Sequence, residues 1–161
     1  MAVADLGLVR LLAHPVNEVQ TGIEECASEA ERQLVVQALV GYNNAQTVPE
    51  TYRDLTALSR HDGEVVGGLL GYTAWNRLFV KQLWVADVFR RRGLGRSLMR
   101  AAEREARGRG CLHAHCDTFD FRALPFYQKL GYHIFGQLDD YPVGHTRYFL
   151  QKRNLHETGN A

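Results

Sequence analysis

The residues with the plainest chemical potential in this chain run from Leu83 to Ser97. Leu83-Trp84-Val85 closes an apolar, β-prone run, and Arg90-Arg91-Arg92-Gly93-Leu94-Gly95-Arg96-Ser97 leads from it into a helical pattern. A helix start leaves backbone N–H groups unpaired and carries partial positive charge, so it can hold an anion. Gly93 and Gly95 lack a Cβ and let a phosphate approach the main chain, while the arginines add attraction and side-chain donors. The chemistry indicated is a phosphate or pyrophosphate site. It is not a P-loop, because Gly-Lys-Ser/Thr is missing, nor the dinucleotide fingerprint, whose third glycine would fall at Ser97 or Leu98. Arg100, Arg104, Arg107 and Arg109, further along, read as a solvated helix face.

A second group is Cys111, His113, His115 and Asp117, placed by strand alternation on one face and opposite Cys116. Cys-x-His-x-His invites a zinc reading, but a strand sets these side chains in a row and no second ligand pair stands at a familiar spacing, so no metal is expected. His113, His115 and Asp117 remain candidates to relay a proton. So does water.

These residues need elements to position them. The 161 residues, 45% hydrophobic and 23% charged, suit one globular domain with a real core. That domain is expected over 1–161, with its core from about 16 to about 153 and looser ends. Ser28 and Glu31 form a capping box for a helix from about Glu29 to Tyr42 or beyond, and a short strand is expected around Glu18 to Glu24. Asp62-Gly63 marks a hairpin between a strand around Leu55 to Ser59 and one from Val65 to Tyr72. Leu78 to Val85 follows as a central strand. From Gly93 the period changes: Leu94, Leu98, Ala101 and Ala102 make an apolar helix face, Glu103 and Arg107 pair on the polar one, and Gly108 and Gly110 end the helix. A strand from Cys111 to Thr118, a helix from Asp120 to Lys129, and strands at Tyr132 to Leu138 and His145 to Lys152 complete the chain. The order β-α-β-β-β-α-β-α-β-β is a meander leading into a β-α-β crossover.

The formal net charge of +1 gives no reason to expect nucleic acid or an anionic membrane as a partner. It conceals segregation: residues 15–64 carry nine acids and three bases, net −6, and residues 87–109 carry eight arginines and three acids, net +5. The three cysteines, Cys26, Cys111 and Cys116, read as reduced thiols of a cytoplasmic protein. The first residues, MAVADLGLVRLLAHP, lack a basic n-region and do not read as a signal peptide. No apolar run approaches the roughly 18 residues of a membrane span.

Arg90-x-x-Gly93-x-Gly95 after a strand resembles the acyl-CoA signature of the GNAT superfamily of acetyltransferases, (Gln/Arg)-x-x-Gly-x-(Gly/Ala). Ala123-Leu-Pro-Phe126-Tyr127-Gln-Lys129-Leu-Gly131-Tyr132 resembles the family's second segment, A-x-x-x-Y-x-K-x-G-(F/Y), at the expected distance. The resemblance covers roughly residues 16–153. It implies an α/β (α+β) fold: a mixed, mostly antiparallel sheet of about six or seven strands, whose parallel pair, near Leu83–Val85 and Leu112–Cys116, splays apart. Acetyl-CoA would lie in that opening, paired with main-chain groups of Leu83, Trp84 and Val85. Arg90, Arg91, Arg92, Gly93, Leu94, Gly95, Arg96 and Ser97 would hold its pyrophosphate. Tyr127 aligns with the tyrosine that in many members protonates the departing thiolate, although it also reads as a helix aromatic packed on the sheet. Many members carry Asn three residues before the motif alanine. Here that position is Asp120, expected to cap the helix that follows.

The function implied is direct acetyl transfer from acetyl-CoA to a primary amine, on a small molecule or at a peptide's lysine or N-terminus. A CoA-binding sensor without turnover is the alternative, and a nucleic-acid module using the arginine stripe a third reading. The acidic stretch, with Tyr42, Asn43, Asn44, Asp139, Asp140 and Tyr141, is expected to attract a cationic acceptor. The resemblance also makes His145, in Tyr141-Pro142-Val143-Gly144-His145, a candidate to take the amine proton, because that turn lies near the acceptor side in members, although it reads equally as an exposed hairpin histidine, and it admits a homodimer.

Overall fold

The computed structural model describes residues 19–155. The chain divides into two compact units after Leu39. In the first, the capping box forms as expected: the Ser28 N–H donates to Glu31 Oε2 at 2.7 Å and the Glu31 N–H to Ser28 Oγ at 3.2 Å. They open helix α1 (Glu29–Gln46), whose last residues belong to the second unit. Residues 19–24 form no strand, contrary to expectation, and Glu18 lies outside the described residues. Val19 and Ile23 are too few to specify a buried strand face.

The second unit is built on a six-stranded sheet of β1 (Arg53–His61), β2 (Glu64–Ala74), β3 (Arg77–Val85), β4 (His113–Phe119), β5 (His133–Leu138) and β6 (Arg147–Lys152), in the order β1-β2-β3-β4-β6-β5. Only β3 and β4 run parallel. Helix α2 (Leu94–Gly108) makes the crossover between them, and α3 (Leu124–Lys129) links β4 to β5. The Asp62–Gly63 turn closes the first hairpin with both φ angles positive, 50° and 87°.

Helix α3 starts at Leu124 rather than Asp120, so Pro125 lies in its first turn, where no intrahelical N–H bond is lost. The expectation that Asp120 caps it fails, because Asp120 is drawn to the start of β6: its N–H donates to Thr146 O at 3.0 Å.

The core packs Leu98, Met99, Ala102 and Ala106 of α2 and Tyr127 of α3 against Leu55, Leu69, Leu78, Val80, Cys116 and Leu150 of the sheet. Glu103 turns inward as well, only 8% exposed, although the helical pattern had assigned it to the polar face beside Arg107. It is satisfied there by Tyr132 Oη, donating at 3.1 Å, and Lys152 Nζ, donating at 2.8 Å. Arg107 instead donates to Leu155 O at 3.2 Å, and Arg109 to the carbonyls of Arg53 and Asp54 at 3.2 and 3.0 Å. Both arginines are clamps between elements and not part of a solvated face.

A bulge in the β2–β3 ladder shapes the site. Gly71 faces Val80 but Leu70 faces Gln82, so Lys81 is an extra residue on β3. The bulge reverses the strand's alternation: Leu78 and Val80 enter the core before it, Leu83 and Val85 pack on that core after it, and Trp84 is 52% exposed. Close approach at the bulge demands glycine, since a Cβ on Gly71 would lie 2.2 Å from Phe79 O. We predict that Gly71→Ala destabilises the protein by about 3 kcal/mol through this backbone collision, read as a lower urea midpoint. An unchanged midpoint would show that the strands can separate there without cost.

Candidate active site

β3 and β4 pair from Arg77↔His113 to Val80↔Cys116 and no further. Beyond this, β3 stays on β2 through Gly67–Leu70, while Asp117 to Phe119 of β4 stay on β6. The carboxyl-terminal halves of the two parallel strands therefore face an opening. Ala86 N–H donates to Val66 O at 2.9 Å on the β2 side. Strand alternation consequently turns the N–H and C=O of Leu83 and Val85 into the opening and those of Trp84 toward β2. Arg90 closes one of these groups: its Nε donates to Val85 O at 3.1 Å and its Nη2 pairs with Asp87 Oδ1 at 2.7 Å. The Val85 N–H still faces the opening.

The turn from Arg90 reverses through two left-handed residues, Arg91 (φ 60°) and Gly93 (φ 86°). Gly93 is the N-cap of α2 and offers no side-chain acceptor, so the first-turn N–H groups of Leu94, Gly95 and Arg96 stay open to an external anion. The Ser97 N–H, in contrast, already donates to Gly93 O at 3.0 Å. Among the described residues, Arg91, Arg92 and Arg96 have no carboxylate partner, and Arg92 lies over the Phe89 ring at 5.8 Å. Gly95 also serves packing. A Cβ there would lie 3.4 Å from the Phe126 ring, ordinary van der Waals contact, so α3 abuts the start of α2.

That contact sets Tyr127 beneath the opening, 7% exposed, edge-on to Phe126 at 5.1 Å and to Tyr132 at 5.9 Å. The two tyrosines differ in use. Tyr132 spends its hydroxyl on Glu103, whereas Tyr127 makes no hydroxyl hydrogen bond among the described residues. Burial above all, and then Cys116 and Asp117, push the Tyr127 phenol far above its ordinary range, so it keeps its proton.

The acetyltransferase (GNAT) family model matches residues 23–132. The chain belongs to this family. It is 38% identical over 127 residues to an acetyltransferase of Agrobacterium fabrum, covering 78% of this chain and 92% of that one. It is 43% identical over 91 residues to a blasticidin-S acetyltransferase of Streptomyces morookaense, covering 56% and 67%. A crystal structure of an acetyltransferase from Bacillus cereus superimposes with a TM-score of 0.75 at 27% identity, covering 82% of this chain and 97% of that one.

In this acetyltransferase the remaining candidates are scattered. His113, His115 and Asp117 do share the half-buried face of β4, but each is engaged separately. The His113 ring accepts from Asn154 N–H at 3.3 Å, His115 stacks on Phe79 at 4.6 Å, and Asp117 holds Arg147 at 2.8–2.9 Å. Cys111 does not join them. It precedes β4 and is buried in the core. No three His, Cys, Asp or Glu side chains converge among the described residues. Tyr42 and Asn43 line a cavity of about 560 Å³ with Trp75 and Asn76, at the β2–β3 turn and so at the end of β3 remote from the opening. They are placed apart from Asp139, Asp140 and Tyr141, which lie between β5 and β6.

Two pairs escaped the sequence reading, Asp117–Arg147 and Asp120–His145, the latter with Oδ1 and Nδ1 3.1 Å apart. Both follow from the register of β4 on β6, where Phe119 faces Arg147, and no local signal in the sequence carries that register.

Burial, and then Arg77, hold the His115 imidazole below its ordinary range, against a bond to the Leu78 backbone and the charge of Asp117. The unfolded chain therefore binds a proton on His115 at a higher pH than the folded one, and stability falls as pH drops through the ordinary histidine range. His115→Phe keeps the stack on Phe79 and removes this contribution. Urea midpoints compared at about pH 7.5 and about pH 5 should fall less in the variant than in the unaltered protein.

Proposed function

We propose that the chain transfers the acetyl group of acetyl-CoA to a primary amine of a small molecule, by direct attack while both substrates are bound. The observation that carries this reading is the opening itself. It joins main-chain groups of Leu83 and the Val85 N–H to an uncapped helix start with three arginines that have no carboxylate partner among the described residues, a shape and charge suited to a pantetheine arm followed by a pyrophosphate. The Val85 N–H is suited to polarise the thioester carbonyl. As the amine nitrogen bonds to that carbon, the C–S bond breaks, and Tyr127 protonates the thiolate.

Direct attack is favoured by the state of Cys116. Burial first, then Asp117 and Glu103, push this thiol up to about 12, so it stays protonated and makes a poor acyl carrier. A small amine-bearing acceptor is supported by the relatives named for acetylating blasticidin S and streptothricin. We read the whole chain as one acetyltransferase domain.

Thiol release from acetyl-CoA against a panel of amines that includes blasticidin S tests the reaction. Binding of acetyl-CoA without release in the presence of any amine would overturn the catalytic part. Tyr127→Phe should lower kcat by about 100-fold with the KM for acetyl-CoA unchanged. An unaltered kcat would remove Tyr127 from the mechanism. The double change Arg91→Ala with Arg96→Ala should raise the Kd for acetyl-CoA about tenfold by calorimetry.

A further inference from the structure

Resting on that reading of acetyl transfer, we propose that Asp120 and His145 form the proton-accepting pair for the acceptor amine, with His145 Nε2 as the base and Asp120 as the residue that positions it.

Main-chain geometry builds the pair. After β4 and β6 end their ladder at Phe119↔Arg147, one further bond, Asp120 N–H to Thr146 O at 3.0 Å, brings the two segments together. The Asp120 carboxylate then accepts from Phe121 N–H at 2.7 Å, Thr146 N–H at 3.2 Å and His145 Nδ1 at 3.1 Å. Desolvation pushes this carboxyl up, but the bonds from Thr146, Phe121 and His145 outweigh it and hold the group below its ordinary range. An ionised carboxylate only accepts, so the hydrogen between the two side chains belongs to Nδ1. The lone pair of the ring then sits on Nε2, which has no partner among the described residues.

The imidazole is held on its other sides too. His145 N–H donates to Pro142 O and its carbonyl accepts from Tyr141 N–H, each at 2.9 Å, while Phe121 meets the ring edge-on at 4.7 Å. Gly144 N–H donates to Asp140 Oδ1 at 3.1 Å and fixes the turn just before it. Orientation by a carboxylate on one nitrogen, with the other nitrogen free, is the arrangement a general base requires.

Position completes the argument. Asp120 directly follows β4, at the end where β3 and β4 have separated, and His145 is partly exposed there. A base at this mouth can meet an incoming amine and pass its proton to water. The other candidates on β4 are less suited: His115 is stacked on Phe79 with its Nδ1 buried away from solvent, and Asp117 is held by Arg147.

The proton account balances. Nε2 takes one proton from the ammonium, freeing the nitrogen lone pair. That pair forms the C–N bond, and the C–S electrons leave with sulfur, which takes the Tyr127 proton. The amide nitrogen, acidified by its new bond, returns a proton to the Tyr127 phenolate through water. His145 releases its proton to solvent, so one net proton appears per turnover.

The test compares the unaltered protein with His145→Gln and Asp120→Asn on two acceptors: the aliphatic amine of the panel turned over fastest, and hydroxylamine, which is already neutral at the assay pH. His145→Gln should lower kcat about 100-fold on the aliphatic amine, leave the KM for acetyl-CoA unchanged and spare hydroxylamine. Asp120→Asn should lower kcat in the same selective way. Because it also touches the Phe121 and Thr146 bonds, His145→Gln decides if that variant does not fold. Nitrogen-15 imidazole spectra of the unaltered protein should show His145 protonated on Nδ1, a readout independent of turnover. Equal loss on both acceptors, no loss on either, or a proton on Nε2 would overturn the assignment while leaving acetyl transfer standing. Absence of turnover by the unaltered protein on every amine would instead fail the transfer reading, and the pair's role with it.

Discussion

The opening in the sheet depends on main-chain hydrogen bonds that β3 and β4 do not make with each other. A buried, unpaired N–H or C=O costs roughly 1–3 kcal/mol, so a sheet that opens along its middle has to find other partners. Here the debt is met unevenly. β4 turns to β6 for Asp117 to Phe119, β3 keeps β2, and Arg90 covers the Val85 carbonyl. What stays exposed on β3 is a short row of donors and acceptors, and these are the groups an extended acyl carrier could pair with. The bulge at Lys81 sits where the pairing stops, and the absent Cβ of Gly71 permits it.

Charge is organised around the same opening. The surplus of arginines between residues 87 and 109 is not one surface. Arg90, Arg107 and Arg109 are spent on carbonyls of other segments, and they hold a turn, the segment after β6 and the β1 edge in place. Arg91, Arg92 and Arg96, beside the glycine-led start of α2, have no carboxylate partner among the described residues. The net charge of +1 therefore says little about partners, whereas the division between clamping and free arginines says a good deal. On the far wall, Asp117–Arg147 and Asp120–His145 tie the end of β4 to β6 and make that wall polar.

Much of this was legible in the chain itself. Local rules act over a few residues, and wherever they sufficed the reading held. Ser28 and Glu31 capped α1, Asp62-Gly63 made its hairpin, and the shift to helical spacing after Gly93 gave α2. Reading failed where a long-range partner overrode a local preference. Glu103 suited an exposed helix face until Tyr132 and Lys152 came to satisfy it inside. Asp120 suited a helix cap until β6 offered the Thr146 backbone and His145.

The sequence by itself determined the family, the order of elements from α1 onward and the glycine-led start of α2, because motif spacing, capping and hydrophobic period are written within single elements. Only the tertiary structure decided where β3 and β4 part, which arginines stay free, and that Asp120 meets His145 across 25 residues of chain. Those outcomes depend on strand register and on a bulge. A shift of one residue there would change every partner, and no local run of residues specifies it.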